Sequence, residues 1–322
     1  MEYKKILIFR TEQIGDFIVT IPIFNEIRKR YPRAKLTIII KKINYDLAKN
    51  LRIFNKIIIY EDILTQRNVS FYKLLINLNG MINLIKNILL LRKEKYDLAI
   101  DFSGRKYNWL RFKFIWANEK ILANPDDIRK IDEIKRLFNV VKPIGIIMPK
   151  KLKFLNRDKN AEKKIKDIIK RYNLKEKIII TVHHLTPLIE KNWPLSNFIR
   201  LFRDFEKEKI IFILLGTTKE KEITNLYLGN CKNILNLMGK LSLIETYELI
   251  KQSDLFLGLD SGPLHIAKFT DTPLIAIFGN ENLEYTRWGL KREIDKGFEK
   301  NNLEELKVED VADYISQKLK KI

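Results

Sequence analysis

Leu257-Gly-Leu-Asp-Ser-Gly-Pro-Leu-His-Ile-Ala267 is the stretch that decides the fold class of this 322-residue chain. The apolar run 255–259 is typical of a short buried strand, and Asp260-Ser-Gly262 are turn and N-cap residues. Pro263 fits the first turn of a helix, where its missing N–H costs nothing. A helix that begins directly after a strand presents free backbone N–H groups and a positive dipole end. The stretch therefore predicts either a phosphate site or an ordinary strand-to-helix turn of an α/β domain.

The rest of the chain repeats this alternation of strands and helices. Apolar runs predict strands at 5–9, 36–40, 56–60, 98–101, 178–182, 210–215, 255–258 and 274–278. Helical patterns lie at 16–30, with a break or kink near Pro22, and at 195–207, 218–229, 243–251, 263–270 and 308–320. Such spacing predicts parallel βαβ units. We expect an α/β protein with two Rossmann-like domains, 1–150 and 151–322, that face each other across a cleft, the last helix being able to pack back on the first domain.

Charge and composition narrow the function classes. The chain carries 61 Lys+Arg against 40 Asp+Glu, a net charge of +21, which favours anionic partners such as nucleic acids, phosphorylated sugars or anionic membranes. A compositionally biased genome would give the same excess. One cysteine excludes an internal disulfide, and three histidines without a cysteine cluster predict that no metal site exists. Without a signal-peptide layout or an apolar run of about 18 residues, a cytoplasmic protein is expected.

Residues 71–91 form a separate amphipathic segment. Apolar side chains recur on one helical face, which Lys and Asn residues interrupt. The pattern predicts a helix packed on the sheet, with a helix lying on a membrane surface as the alternative.

The loop after the first predicted strand is Arg10-Thr-Glu-Gln-Ile-Gly-Asp16. It lacks the GxGxxG fingerprint of dinucleotide binding. Gly15 permits a tight turn, and Asp16 follows at the start of a helix. A carboxylate at this position acts either as a general base or as a helix N-cap.

Loops of the second half offer candidates for binding a phosphorylated ligand, each with a plain structural alternative. Lys191 precedes a helix opened by Pro194 and either neutralises a phosphate or is solvated. Glu220 follows a glycine-containing turn and either accepts from a ribose or caps a helix. His183 and His184 either reach a phosphate or are buried or capping residues. The turn Asn236-Leu-Met-Gly239 has a backbone that can border a base.

Motifs in order over residues 5–280 resemble those of the lipopolysaccharide heptosyltransferases, glycosyltransferase family 9. The amino-terminal signature is matched by Ile8-Phe-Arg-Thr-Glu-Gln-Ile-Gly-Asp16, Thr20-Ile-Pro-Ile-Phe-Asn-Glu-Ile-Arg28 and Tyr31-Pro-Arg-Ala-Lys35. A Lys-x-Trp-Pro element is matched by Lys191-Asn-Trp-Pro194. The carboxy-terminal signature is matched by Asp254-Leu-Phe-Leu-Gly-Leu-Asp-Ser-Gly-Pro-Leu-His-Ile-Ala-Lys268 and Pro273-Leu-Ile-Ala-Ile-Phe-Gly279.

This resemblance implies a GT-B fold and an inverting, metal-independent transfer of heptose from a nucleotide-heptose, ADP-heptose, to a lipopolysaccharide core acceptor. It implies that Asp16 is the catalytic base, with Arg10 and Gly15 on the acceptor side. The donor residues that it implies, for phosphates, ribose, base and sugar, are Thr186, Lys191, Glu220, Met238, Asp260, Ser261, Gly262 and His265. No cofactor is implied, and the expected partners are the nucleotide-sugar, a phosphorylated lipid acceptor and the anionic inner face of the cytoplasmic membrane.

Two loops depart from the family pattern, so the sequence does not decide which nucleotide-sugar is the donor. His183-His-Leu185 stands where the family often has Pro-Gly, and Asn280-Glu-Asn282 follows Gly279 in place of a Thr-Pro-type segment. One alternative function is therefore a related transferase that uses another nucleotide-sugar for a surface glycan. Another is a non-enzymatic basic protein that binds nucleic acid; because aromatic residues are not interleaved with the lysines as a stacking platform requires, no nucleic-acid partner is expected.

Overall fold

A computed structural model of the chain divides into two compact units, Met1–Asn156 and Arg157–Ile322. The structure describes residues 2–60, 82, 86, 89, 91–103, 112–124, 131–229, 231–279 and 292–320. Each unit is built on a parallel sheet and has its own core.

The first unit has a parallel sheet with the strand order β3-β2-β1-β4-β5. The strands are β1 Lys5–Arg10, β2 Lys35–Ile40, β3 Lys56–Ile59, β4 Tyr96–Asp101 and β5 Ala117–Leu122. The central strands are continuous apolar runs because helices cover both faces of a parallel sheet. Ile6, Leu7 and Ile8 of β1 are fully buried, as this arrangement requires.

Helices of the first unit are α1 Ile14–Arg30, α2 Tyr45–Leu51 and α3 Glu133–Val141. The expected break near Pro22 is wrong, because α1 continues through it as one helix of 17 residues. Pro22 and its neighbours Ile21 and Ile23 are fully or almost fully buried. Packing against the sheet thus compensates for the hydrogen bond that proline cannot make.

The second unit has a parallel sheet with the strand order β11-β10-β9-β6-β7-β8. If β6 is numbered 1 and β11 is numbered 6, the order read from β8 to β11 is 3-2-1-4-5-6. This is the strand order of a Rossmann fold. The strands are β6 Ile178–His183, β7 Ile210–Leu214, β8 Ile234–Asn236, β9 Leu255–Leu259, β10 Leu274–Gly279 and β11 Lys296–Lys300.

Helices of the second unit are α4 Lys159–Arg171, α5 Leu195–Asp204, α6 Thr218–Asn225, α7 Leu243–Lys251, α8 Gly262–Ala267 and α9 Val308–Leu319. Capping boxes fix where α6 and α7 begin. The hydroxyl oxygen of Thr217 accepts a hydrogen bond from the backbone N–H of Glu220, and that of Ser242 accepts one from the backbone N–H of Glu245. In return, each glutamate carboxylate accepts a hydrogen bond from the backbone N–H of its capping residue. Thr217 lies three residues after the end of β7, and Ser242 lies six residues after the end of β8, so these caps fix where the loops that follow the two strands end.

The C-terminal helix α9 completes the core of the second unit. Val311 and Ile315 are fully buried among the residues of the β6–β9 region. Trp193 is also fully buried, and its indole Nε1 donates to the Leu306 carbonyl at 3.0 Å. This bond ties the Lys-x-Trp-Pro segment to the chain just before α9.

Most of the predicted amphipathic segment 71–91 lies outside the described residues. In the ranges that are described, no helix is both long enough and apolar enough to cross a bilayer.

Candidate active site

Functional candidates of the second unit gather where the strand order reverses, between β6 and β9. These strands are hydrogen-bonded neighbours, and His183 at the end of β6 is in register with Gly258 of β9. The residues that follow them emerge side by side at the carboxyl edge of the sheet. Ligands of open α/β sheets bind at such a switch point. Here Ser261 Oγ lies 2.9 Å from His183 Nδ1 and donates to the Leu259 carbonyl at 3.0 Å.

Lys191 and Asp260 form an ion pair at this edge. Lys191 Nζ lies 2.6 Å from Asp260 Oδ2, and the two side chains are 18% and 6% exposed. The other carboxylate oxygen, Oδ1, lies 3.8 Å from His265 Nε2. Lys191 is therefore not the freely solvated lysine of the alternative interpretation. The pair places a cation and an anion beside the first turn of α8.

The loop that carries Lys191 is held in shape by Asn192. The Asn192 side chain accepts from the Thr186 backbone N–H at 2.8 Å and donates to the Thr186 carbonyl at 3.0 Å. The Thr186 hydroxyl donates to the Leu188 carbonyl at 2.9 Å, so it is engaged within its own loop. The backbone of this loop passes close to Gly279, because a Cβ there would lie only 2.8 Å from the Glu190 carbonyl oxygen.

Glu220 packs against a glycine turn and a methionine. A Cβ on Gly216, whose φ is +155°, would lie 2.7 Å from Glu220 Oε2 and 2.8 Å from Met238 Cε. Only glycine therefore fits between the two candidate side chains. Glu220 Oε2 also accepts from the Thr217 backbone N–H at 2.6 Å. Glu220 is thus a capping residue, and its carboxylate has a second oxygen with which it can accept further bonds.

His184 is a neutral buried residue that supports the helix carrying Glu220. The Thr224 hydroxyl donates to the Glu220 carbonyl at 2.8 Å, so His184 Nε2–H donates to Thr224 Oγ1 at 2.9 Å. His184 Nδ1 is then unprotonated, and among the described residues it has no hydrogen-bond partner. Burial, and to a smaller degree His183, lower the pKa of His184 to about 3.

His183 stands between two candidate donor residues. Its Nδ1 faces Ser261, and its Nε2 lies 3.9 Å from Glu220 Oε2. Burial lowers the pKa of His183, although the nearby Glu220 carboxylate opposes that shift. At neutral pH the ring is therefore uncharged and acts through its hydrogen bonds.

In the first unit, Asp16 lies in the first turn of α1, where its side chain is 17% exposed. The alternative in which Asp16 is the N-cap is wrong, because the N-cap is Gln13. The Asp16 carbonyl accepts from Thr20 Oγ1 at 2.7 Å and from Arg10 Nε and Nη2 at 3.1 and 2.8 Å. The backbone of Asp16 is thus anchored while its carboxylate stays partly open.

Arg10 is 1% exposed and lies beneath the loop of Asp16. Its Nη2 is 3.9 Å from Asp16 Oδ1 and 3.5 Å from Glu133 Oε1, and its Nη1 donates to the Phe102 carbonyl at 3.1 Å. Burial lowers its pKa, but the carboxylates of Glu12, Asp16, Glu133 and Asp101 outweigh that effect, so the pKa is raised. Arg10 is a permanent cation next to Asp16.

Comparison with known proteins identifies the family of this chain. The family model of glycosyltransferase family 9 (heptosyltransferase) matches residues 111–314, more than half of the chain. The chain belongs to glycosyltransferase family 9. It is a heptosyltransferase-type glycosyltransferase, as its motifs predicted.

Relatives of this family 9 chain are distant in sequence but similar in fold. Lipopolysaccharide heptosyltransferase 3 of Escherichia coli K12 is 22% identical over 288 residues, which cover 82% of this chain and 79% of that protein. A family 9 glycosyltransferase from Veillonella parvula superposes with a TM-score of 0.79 at 16% identity, covering 100% and 98% of the two chains. An Escherichia coli heptosyltransferase solved with ADP gives 0.72 at 15% identity, covering 98% and 99%. The predicted α/β fold of GT-B type, with two Rossmann-like sheets, is confirmed.

Within each unit, the structure brings together most residues that the family 9 motifs predicted. Lys191, Asp260 and His265 form one group, and Glu220 and Met238 form another around Gly216. Gly15 and Gly262 lie in the first turns of α1 and α8. Their individual roles in binding remain predictions. No group of three or more His, Cys, Asp or Glu side chains in the described ranges could hold a metal ion.

Sequence patterns did not predict several residues that hold the candidate site residues in place, because these contacts depend on how the chain folds. Asn192 stands inside the quoted Lys-x-Trp-Pro element, yet its pairing with Thr186 depends on the loop's shape. Thr224 lies in a helix, four residues after Glu220, a spacing that could have indicated a shared face. Glu133 contacts Arg10, in the loop of Asp16, from more than 100 residues away, and Arg136 binds Glu133; no pattern in the sequence indicates these contacts.

The neutral state of His184 predicts a pH dependence of stability. Its pKa in the folded chain, about 3, lies below the ordinary value of 6.5. The unfolded chain therefore binds more protons between these values, and stability falls as the pH falls through that window. Between pH 7 and pH 5, this histidine should lower the free energy of unfolding of the wild-type chain by about 2 kcal/mol, and His184→Gln should abolish that part of the loss. Urea unfolding followed by circular dichroism at both pH values measures this difference.

Thr224→Val is the matched control for that measurement. It removes the hydroxyl partner of His184 but no titratable group, so it should lower stability at both pH values and leave the steep pH dependence in place. An unchanged pH dependence in His184→Gln would contradict the neutral, buried state of this histidine.

Proposed function

We propose that the chain is an inverting heptosyltransferase that moves heptose from ADP-heptose to a lipopolysaccharide core acceptor. The observation that carries the proposal is the partly buried Lys191–Asp260 ion pair beside the start of α8. In this proposal the second unit binds the nucleotide and the first unit binds the acceptor. Two Escherichia coli proteins of similar structure support the donor: one is an ADP-heptose lipopolysaccharide heptosyltransferase, and the other is a heptosyltransferase solved with ADP.

The proposed chemistry assigns one step to each group. The acceptor hydroxyl oxygen bonds to the anomeric carbon, and the bond from that carbon to the diphosphate oxygen breaks. ADP leaves with the electron pair, while the hydroxyl proton passes to the Asp16 carboxylate. Because attack comes from the face opposite the leaving group, the anomeric configuration inverts. Negative charge grows on the diphosphate, where Lys191 stabilises it.

Donor binding requires Lys191 to change partners. In the structure its ammonium is bonded to Asp260. Ser261 does not cap α8 with its side chain, so no side-chain cap occupies the backbone N–H groups of Gly262 and Leu264; Pro263 between them has no N–H. We infer that the diphosphate takes Lys191 and these N–H groups together, and that Asp260 then accepts from hydroxyls of the sugar.

The central test is Asp16→Asn, assayed with a panel of nucleotide-sugars by the nucleotide released. Asn keeps the size of the side chain but cannot take a proton. Turnover with the preferred donor should fall by about 10²- to 10⁴-fold, the usual effect of losing an acid–base group. ADP affinity, measured by calorimetry, should be unchanged because Asp16 lies in the other unit. Turnover near the wild-type value would remove Asp16 from the mechanism, and release only from a donor other than ADP-heptose would replace the proposed donor.

Lys191→Met tests the phosphate role. It removes the ammonium but keeps an unbranched side chain, so kcat/KM should fall by about 10²- to 10³-fold, with weaker ADP binding. Lys164→Met is the matched control, because Lys164 also pairs with a carboxylate, that of Glu245 at 2.8 Å, but is 45% exposed and lies on α4. If both variants keep the wild-type kcat/KM, Lys191 plays no part in the reaction.

We further propose that the enzyme associates peripherally with the inner face of the cytoplasmic membrane, because its acceptor is a phosphorylated lipid. A patch of Arg92, Lys95, Phe114 and Trp116, here named the Trp116 patch, supports this. Phe114 and Trp116 are 45% and 49% exposed, and the Arg92 guanidinium and Lys95 ammonium lie 5.0 and 5.7 Å from the Trp116 ring centroid. Exposed tryptophan among cations matches an anionic bilayer surface.

Arg92→Glu/Lys95→Glu should weaken sedimentation with phosphatidylglycerol vesicles by at least about tenfold, since each cation near such a surface contributes about 1 kcal/mol. Binding should also fall with rising salt and be weak on neutral phosphatidylcholine vesicles. Lys163→Glu/Lys166→Glu carries the same change in net charge on exposed residues of α4. An equal loss in this control would show that net charge, not the Trp116 patch, determines binding.

A further inference from the structure

Beneath Asp16 lies a group of buried charges, Arg10, Glu133 and Arg136, here named the Arg10 cluster. Their side chains are 1–2% exposed. Arg136 binds the Glu133 carboxylate with two bonds, Nε to Oε2 at 2.9 Å and Nη2 to Oε1 at 2.7 Å. Oε1 also faces Arg10 Nη2 at 3.5 Å. Glu133 therefore lies between two arginines.

The Arg10 cluster joins four elements of the first unit at the carboxyl edge of its sheet. Arg10 ends β1, and both Arg10 and Arg136 donate to the carbonyl of Phe102, which follows β4, at 3.1 and 3.0 Å. Glu133 and Arg136 belong to α3, and the Asp16 carbonyl that Arg10 holds belongs to α1. A shift of α3 would thus move the guanidinium that fixes Asp16.

All three nitrogens of the Arg10 guanidinium face an acceptor. Nε and Nη2 donate to Asp16, Nη1 to Phe102, and the remaining directions face Glu133 at 3.5 Å and Glu12 at 3.6 Å. The charged groups around Arg10 are Glu12 from its own loop, Asp16 from α1, Asp101 from β4, and Glu133 from α3, where Arg136 also lies. Arg10 is therefore held in one orientation and is occupied by the protein itself.

Burying such a cluster costs several kcal/mol per ion, and apolar residues of the same volume often give equal stability. The cluster is better explained by what it fixes. A general base must be held to within a fraction of an ångström of its productive position, and a displacement of about 1 Å can cost 10²-fold in rate. The two bonds from Arg10 to the Asp16 carbonyl supply that constraint.

We infer that Glu133 is a positioning residue for Asp16, acting through Arg10, an inference that rests on the proposed role of Asp16 as the base. Glu133 and Arg136 orient the guanidinium, and the guanidinium fixes the first turn of α1. Glu133 also pairs with Arg10 at 3.5 Å, so that Asp16 is not the only carboxylate that faces this cation.

The test measures kcat and ADP affinity for Glu133→Gln and Arg10→Lys, using the donor preferred by the wild-type protein. Both variants should lower kcat by about 10- to 100-fold while the ADP dissociation constant stays within twofold. Arg10→Lys keeps a cation and serves if Glu133→Gln fails to fold.

Arg28→Lys is the matched control. Arg28 lies in the last turn of the same helix and donates to the carbonyls of Ile53, Pro32 and Ala34. It should leave kcat within twofold. Wild-type kcat in folded Glu133→Gln and Arg10→Lys, or an equal loss in Arg28→Lys, would overturn the positioning role.

A double variant separates this inference from the proposed function. If Asp16 is the base and Glu133 acts through it, Glu133→Gln should cause no further loss of kcat in the Asp16→Asn background. A full additional loss would overturn the positioning role. If Asp16→Asn alone keeps wild-type turnover, the proposed function fails and the inference falls with it. If Asp16→Asn is inactive and Glu133→Gln is not, only the inference fails.

Discussion

Both candidate sites depend on one constraint, the reversal of strand order in a parallel sheet. All strands of a parallel sheet end at the same edge, and the loops of two neighbouring central strands leave an opening where the order reverses. In the second unit the neighbours are β6 and β9, which places His183 against Ser261. In the first unit they are β1 and β4, whose pairing of Phe9 with Asp101 places Arg10 against the Phe102 carbonyl.

The two units handle buried polarity differently at this position. In the first unit, arginines and carboxylates are buried in contact, and each charge is offset by a neighbour within 4 Å. In the second unit, His183 and His184 are buried without a charge and are bonded to the hydroxyls of Ser261 and Thr224. A charged histidine pair would be costly there, because two like charges would share a dry site. The buried charges of the first unit fix the position of Asp16. The neutral histidines of the second unit carry no charge, so Lys191 and Asp260 determine the electrostatic field at that site.

The sequence predicted the central strands and the loops, since buried parallel strands are continuous apolar runs. It missed three edge strands, β5, β8 and β11: the stretches Ala117–Leu122 and Lys296–Lys300 are polar and half exposed, and β8 is only three residues long. It predicted a break or kink near Pro22 because helix propensity is local, whereas the packing that keeps α1 continuous through Pro22 is not. Lys191, Asp260 and Asp16 could be predicted from motifs, but their partners depend on contacts between distant segments, as Glu133 with Arg10 shows.

The ion pair of Lys191 and Asp260 has a consequence for any anionic ligand that enters the second unit. An ammonium that is already paired with a carboxylate attracts another anion only weakly. Lys191 therefore stabilises a bound diphosphate only when its bond to Asp260 is broken. When Lys191 leaves, Asp260 keeps one polar neighbour, because His265 Nε2 lies 3.8 Å from its other oxygen. An exchange of partners between charges already held in place needs little reorganisation of the site, which is the condition under which a cation stabilises developing charge most effectively. The same exchange makes affinity sensitive to ligand charge, since a ligand with a single weak negative charge competes poorly with the Asp260 carboxylate at 2.6 Å.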